Sequence, residues 1–305
     1  LVLDQSPAEL FARLLALPGL GRTLLNTAVV ISAGTVLALL VACVLAWLNE
    51  RTNARVGFLS DVLPVIPLLV PSVAGAIGWV LLASPTAGFV NVALRNLGQA
   101  LGVDLPTLDI FSWTGLVFVY TISMVPQIYL TVAAALRSFD PALEEAARVS
   151  GAGPLRTLRT VTLPAVKPAI LSGALLALVY GIALFSVPLI IGTQARIDII
   201  SVQVVRLLAF TFPPRLGEAM VLSLLVAVVL AAIWWANSRI VRRGRFATIG
   251  GRSTSRRRTT LGPLALVLAR MFMALYLLVS ALLPLAALLL VSFQGFWSGT
   301  FLAAL

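Results

Sequence analysis

The residues whose types and spacing most constrain this chain are Glu145-Ala146-Ala147-Arg148-Val149-Ser150-Gly151 and, after a nine-residue gap, Val161-Thr162-Leu163-Pro164. They fall in a polar, arginine-bearing loop between two long apolar segments. Small side chains on a short helix with a glycine stop make a low-relief surface that another protein can approach closely. The chemistry implied is therefore docking, a socket for a cytoplasmic partner.

The flanking residues say how that surface would be held. Asp140-Pro141 predicts a helix start, with an N-cap acceptor followed by proline at the first helical position. Glu144 and Glu145 lie in or near the first turn, where the helix dipole favours negative charge. Glu144 and Arg148 are four apart and can pair, adding ~0.3 kcal/mol. Gly151 can take the left-handed conformation that ends a helix. One face then carries Leu143, Ala146, Ala147 and Ser150. After Gly153-Pro154 a second helical turn places Leu155 beside Leu158. Leu163-Pro164 is expected to end the excursion and Pro168 to open the next apolar segment. The bland alternative is an ordinary helix-turn-helix in a loop.

The elements around this loop are set by hydrophobicity. Of 305 residues, 60% are hydrophobic and 11% charged, against about half and a quarter in a soluble domain. Six apolar blocks are long enough to cross a bilayer, which needs about 20 residues of helix. They run over Leu24–Trp47, Val62–Ala83, Trp113–Leu136, Pro168–Ile191, Ala219–Ala236 and Met271–Ser292, and none contains Asp, Glu, Lys or Arg. Hydrocarbon leaves no partner for unpaired backbone groups, so each block is expected to be helical. The fold class is all-α, a polytopic transmembrane helical bundle.

The formal charge of +11 is concentrated in loops, including an arginine-rich run over Arg242–Arg258. Lying between two spans, that run reads as a cytoplasmic loop and not as a nucleic-acid patch. Loops 48–61, 137–167 and 237–270 hold sixteen of the 22 lysines and arginines, which puts the three of them in the cytoplasm. Cys43 is the single cysteine and there is no histidine. The chain thus lacks the commonest metal ligand and the commonest general base, and no metal site is expected.

Leu1–Arg22 is too polar for a span and reads as an external segment, and the chain has the look of a fragment cut at both ends. Gly88–Gly102, with Phe89, Val92, Ala93, Leu97 and Leu101 at helical spacing, suits a short helix on the outer surface or a packed loop helix.

At this point the sequence resembles the membrane permease subunit of binding-protein-dependent importers of the ATP-binding cassette superfamily. That family's signature is Glu-Ala-Ala, three residues, Gly, nine residues, Ile, one residue, Leu-Pro. Glu145, Ala146, Ala147, Gly151, Leu163 and Pro164 match it in place, with Val161 where Ile is usual. The likeness covers about residues 24–236. It implies the type I importer permease fold. It also implies that the helix bearing Leu143, Glu144, Glu145, Ala146, Ala147 and Arg148 is a coupling helix seated in a cleft of the ATPase.

The resemblance also supplies partners and layout. Residues 1–238 would be a first permease half with five visible spans and a coupling loop over 137–167. Residues 239–263 would be a basic cytoplasmic linker, and 264–305 the first span of a second half. Two copies of a cytoplasmic ATP-binding subunit would hold ATP and Mg, with no cofactor on this chain. An external solute-binding protein would deliver cargo at the inner membrane. The fused layout, Val187–Thr193 with Arg196-Ile197-Asp198, and Phe212-Pro213-Pro214 are most similar to ferric-iron permeases. Thiamine and phosphonate importers share the layout.

Three rival readings are weighed against this one. An ion-coupled carrier would need an ionisable side chain within a span, and the six blocks hold none. A membrane enzyme would need a polar catalytic cluster, which the sequence does not offer. A scaffold that anchors a cytoplasmic partner without transport stays open. Within the spans, Tyr120, Ser123 and Gln127 share a helical face and form the best group for lining a path. Backbone bonding within the helix is their bland alternative.

Overall fold

A computed structural model describes residues 7–243 and 259–293. These residues are helical almost throughout, with one isolated parallel bridge, Thr52 with Thr259. The main helices are α1 (Pro7–Leu15), α2 (Leu20–Arg51), α3 (Ser72–Ala83), α4 (Phe89–Leu101), α5 (Trp113–Ser138), α6 (Pro141–Val149), α7 (Leu163–Ala183), α8 (Ile200–Ala209), α9 (Leu216–Arg243), α10 (Pro263–Leu277) and α11 (Leu283–Ser292). Among the described residues five stretches are long and apolar enough to span a membrane: α2, α5, Leu158–Ala183, α9 and Pro263–Ser292.

The expected span over Val62–Ala83 is not one helix. It breaks into a turn at Leu59–Val62, a 3-10 turn at Ile66–Leu69 and α3. Pro64, Pro67 and Pro71 each lack the N–H that a continuous helix would use, and each crowds the preceding turn. What remains, α3, is 12 residues long, or about 18 Å, against a hydrocarbon core of about 30 Å.

The span expected at Pro168–Ile191 is also displaced. Helical backbone runs from Pro154 through a wide turn at Leu158–Thr162 into α7, so neither Pro164 nor Pro168 interrupts it. In that wide turn Leu163 N–H bonds to the Leu158 carbonyl, five residues back. The shifted register accommodates Pro164, whose missing N–H would otherwise break the ladder. The far end stops at Ala183, and Pro188–Gly192 forms a separate turn. The same device recurs where Leu283 N–H reaches the Leu278 carbonyl before Pro284. Upstream, helix begins at Pro263, with proline at the first helical position, and not at the expected Met271.

The bundle has a clear interior. In its most apolar stretch α5 is 61% buried, whereas α9 is 11% buried and lies at the rim. Close packing depends on glycine. A methyl at Gly34 of α2 would sit 3.2 Å from Tyr120 Cβ of α5, and one at Gly78 of α3 would sit 2.5 Å from the Pro284 carbonyl of α11. Small residues at crossings let backbones approach and gain dispersion.

A second apolar cluster gathers Leu14, Leu17, Leu20, Ile200, Leu207, Ala219 and Leu222, holding α1 and α8 against α9. Asn26 and Thr27, polar residues of the α2 span, serve the same end of the molecule: Asn26 Nδ2 donates to the Asp198 carbonyl and Ile200 N–H donates to Thr27 Oγ1. α4 forms where the sequence places a helix. Buried Asn91 pins it by donating to the Ser84 and Leu108 carbonyls and accepting from Leu108 N–H. Most of the expected linker, residues 244–258, lies outside the described residues.

Candidate functional site

The short helix α6 forms for the reasons its sequence supplies. Ala142 N–H donates to Asp140 Oδ1 at 2.9 Å, the expected N-cap. At the other end Gly151 takes φ 83°, and Ala152 N–H reaches back to the Ala147 carbonyl at 3.0 Å. That six-to-one bond closes the helix on its left-handed residue. Leu143, Glu145, Ala146, Val149 and Ser150 are exposed and Ala147 is half-buried. The face read as a docking surface is therefore open.

Glu144 turns the other way. It is 8% exposed; its Oε1 accepts from Thr162 Oγ1 at 2.7 Å and lies 3.6 Å from Arg51 Nε. The pairing expected along the helix involves Arg148, whose side chain is outside the described ones. Thr162 stands directly before Leu163-Pro164, so the two halves of the motif meet through this hydroxyl–carboxylate bond. Leu163 is 45% exposed and starts α7.

The loop is anchored on the last turn of α2, which sequence reasoning missed. Asn49, Glu50 and Arg51 are all buried. Asn49 Nδ2 donates to the Ser60 carbonyl at 2.6 Å and to Tyr129 Oη at 3.1 Å. Glu50 accepts from Arg137 Nε at 2.8 Å, and Arg137 also pairs with Asp61 at 3.3 Å. Asp61 in turn pairs with Arg55. Arg51 Nη2 donates to the Leu136 carbonyl at 2.9 Å and the Phe139 carbonyl at 3.4 Å. A signal was present: three consecutive polar residues on a helix spread over about 200°, so they cannot all leave a packed bundle on its solvent side.

Three loops assigned to one side by charge do meet at this end. Arg51 joins 48–61 to 137–167, and Thr259 N–H donates to the Arg51 carbonyl while Leu261 N–H donates to Asn53 Oδ1, bringing in 237–270.

Tyr120, Ser123 and Gln127 follow one face of α5 but meet different surroundings. Tyr120 is fully enclosed. Ser123 Oγ donates to the Val119 carbonyl at 2.8 Å. With its amide oriented to donate, Gln127 reaches the Met124 and Ser123 carbonyls at 3.0 Å. Ser123 alone of the three borders a cavity of about 230 Å³ beside the break before α3, together with Pro71, Ser72, Trp79, Tyr180 and Ser280.

Comparison with known proteins places this arrangement. The model of the family described as "Binding-protein-dependent transport system inner membrane component" matches residues 15–243. The chain is 27% identical over 205 residues to the sulfate transport system permease protein CysT of Salmonella typhimurium, covering 65% of this chain and 70% of that one. It is 21% identical over 210 residues to a Haemophilus influenzae protein named as a ferric transport system permease (FbpB 1), covering 67% of this chain but 31% of that one. A crystal structure of a bacterial alginate ABC transporter, with a pentasaccharide-bound periplasmic protein, superposes with TM-score 0.61 at 21% identity, covering 76% of this chain and 82% of that one. That last likeness concerns the fold.

Proposed function

We propose, for a chain that belongs to the family of binding-protein-dependent transport system inner membrane components, a division of labour within an ATP-binding cassette importer. The chain is a multi-pass permease subunit of the inner membrane. A separate cytoplasmic ATPase, present in two copies and carrying ATP and Mg, docks on α6. An external solute-binding protein loads the opposite face. Residues 264–305 begin a second permease half, joined through the basic stretch 239–263.

The observation that carries this reading is α6 itself. It is a capped nine-residue helix whose small side chains stay exposed, on a loop whose second arm is continuous with a span. A short turn over residues 150–153 joins α6 to the helical backbone that runs from Pro154 into α7, so force applied at α6 has little slack chain to cross. Ferric iron is the solute favoured by the resemblance of the fused layout, Val187–Thr193 with Arg196-Ile197-Asp198, and Phe212-Pro213-Pro214 to ferric-iron permeases. Sulfate is the second reading, favoured by similarity to a sulfate permease over 70% of that protein's length.

Glu145→Lys or Gly151→Trp is expected to leave the spans inserted and ATP hydrolysis running while uptake falls ~100-fold, the upper range of couplings between linked sites. Uptake of radiolabelled ferric iron and of sulfate, measured in a strain deleted for the chain, reads this out and separates the two solutes. Normal uptake by both variants sinks the docking role.

A further inference from the structure

We propose that Arg51 is a positioning residue that makes α2 follow the coupling helix, so that motion of α6 enters the bundle through a side-chain grip as well as along the chain. The proposal rests on the importer reading and concerns how force is passed on.

By backbone alone, α6 is tied to α5 through Phe139-Asp140 and to α7 through residues 150–162. Neither route includes α2. Arg51 supplies one. Its guanidinium bonds the Leu136 and Phe139 carbonyls at the end of α5, where the helix dipole favours a cation. It lies 5.3 Å from the centre of the Phe139 ring and pairs with Glu144 of α6. Glu144 in turn holds Thr162 at the foot of α7. One cation therefore joins four elements.

Burial makes this joint stiff. Arg51 is 7% exposed and Glu144 8%. A buried charge that loses its partner meets a large desolvation penalty, so the pair resists separation. A shift of α6 either carries α2 with it or parts two buried opposite charges, leaving Arg51 to the Leu136 and Phe139 carbonyls and Glu144 to Thr162. The neighbouring pair Glu50–Arg137 is built from similar groups and links α2 to α5 without touching α6. It provides the control.

The test uses the full-length chain assembled with its ATPase and binding protein in lipid vesicles. Cys43 is changed to Ser, and spin labels are placed at exposed Val36 of α2 and Val228 of α9. Adding ATP is expected to shift the α2–α9 distance by ~2 Å, the scale of helix shifts in switching proteins. In Arg51→Gln that shift falls to about half or less. Thr162→Val, which removes only the hydroxyl on Glu144, lowers it less, and Arg137→Gln leaves it unchanged. Arg51→Gln combined with Glu144→Gln is no worse than Arg51→Gln alone, because both remove one contact.

A full shift in Arg51→Gln, an equal loss in Arg137→Gln, or no shift in the wild type overturns the grip. Should Arg51→Gln fail to assemble, Thr162→Val decides, and a full shift there overturns the proposal. Co-purification with the ATPase and ATP-driven uptake by the wild type test the importer reading separately. If both hold while Arg51→Gln still shows the full shift, only the grip is lost.

Discussion

Asn91 shows how a single amide can organise a long connection. It is fully buried, yet three of its bonds go to the backbone at Ser84 and Leu108, closing the segment between α3 and α5 around α4. Replacing it with leucine keeps the volume and strands those backbone groups, each costing about 1–3 kcal/mol when buried without a partner. The purified Asn91→Leu protein is expected to melt at least ~5 °C lower, consistent with a loss of a few kcal/mol in a chain of this size. An unchanged melting temperature would show that water or lipid headgroups replace those bonds. At this scale the sequence was partly legible. Asp140 as N-cap and Gly151 as helix stop follow from residue type, because each satisfies a local backbone requirement. The inward turn of Glu144 does not, since Glu144 and Glu145 differ only in which partner waits across the bundle. That partner, Arg51, is 93 positions away in the chain and signals itself only as the last of three polar residues ending a span.

Helices as elements were legible by hydropathy except where prolines cluster, as at Pro64, Pro67 and Pro71; single prolines such as Pro126 and Pro168 sit inside helices. Hydropathy counts apolar side chains and is blind to missing backbone donors, which is why Val62–Ala83 scored as a span and folds as a broken one. Pro164 and Pro284 mislead in the opposite direction, since one shifted hydrogen bond before each lets the helix continue. α3 packs along α11, and their tightest approach is Gly78 against Pro284. Gly78→Leu is expected to push these helices apart and to remove ~90% of properly folded protein from the membrane, because overpacking a backbone-to-backbone contact leaves no side chain to yield. Gly75→Leu is the control, since nothing lies within 4 Å of a methyl placed there. Comparable yields of the two variants, measured as monodisperse protein after detergent extraction, would remove the contact's importance.

At the scale of the whole molecule the described residues beyond the basic stretch are held by more than their covalent link. α10 leaves a cavity of about 840 Å³ against α2 and α5, lined by Val29, Leu37, Trp113, Phe118, Phe272 and Tyr276, so its contact there is incomplete. α10 still buries Ala269, Met273 and Tyr276 in the core, and the segment is held further at its two ends, where α11 seats on α3 and Thr259 pairs with Thr52 beside the grip formed by Arg51. A specific protease site inserted between Gly250 and Gly251, cut after membrane insertion, is therefore expected to leave the two pieces associated through purification in mild detergent. Adding Gly78→Leu to the cut protein should weaken that association, because it removes the α3–α11 seat and leaves the buried face of α10 with the bonds at Thr259 and Leu261. The bonds at Thr259 and Leu261 contribute only about 1 kcal/mol each, too little by themselves to hold a helix of 30 residues against detergent. Separation of the pieces without Gly78→Leu would mean that the covalent link carries the association, and that the last span owes its place to tethering alone.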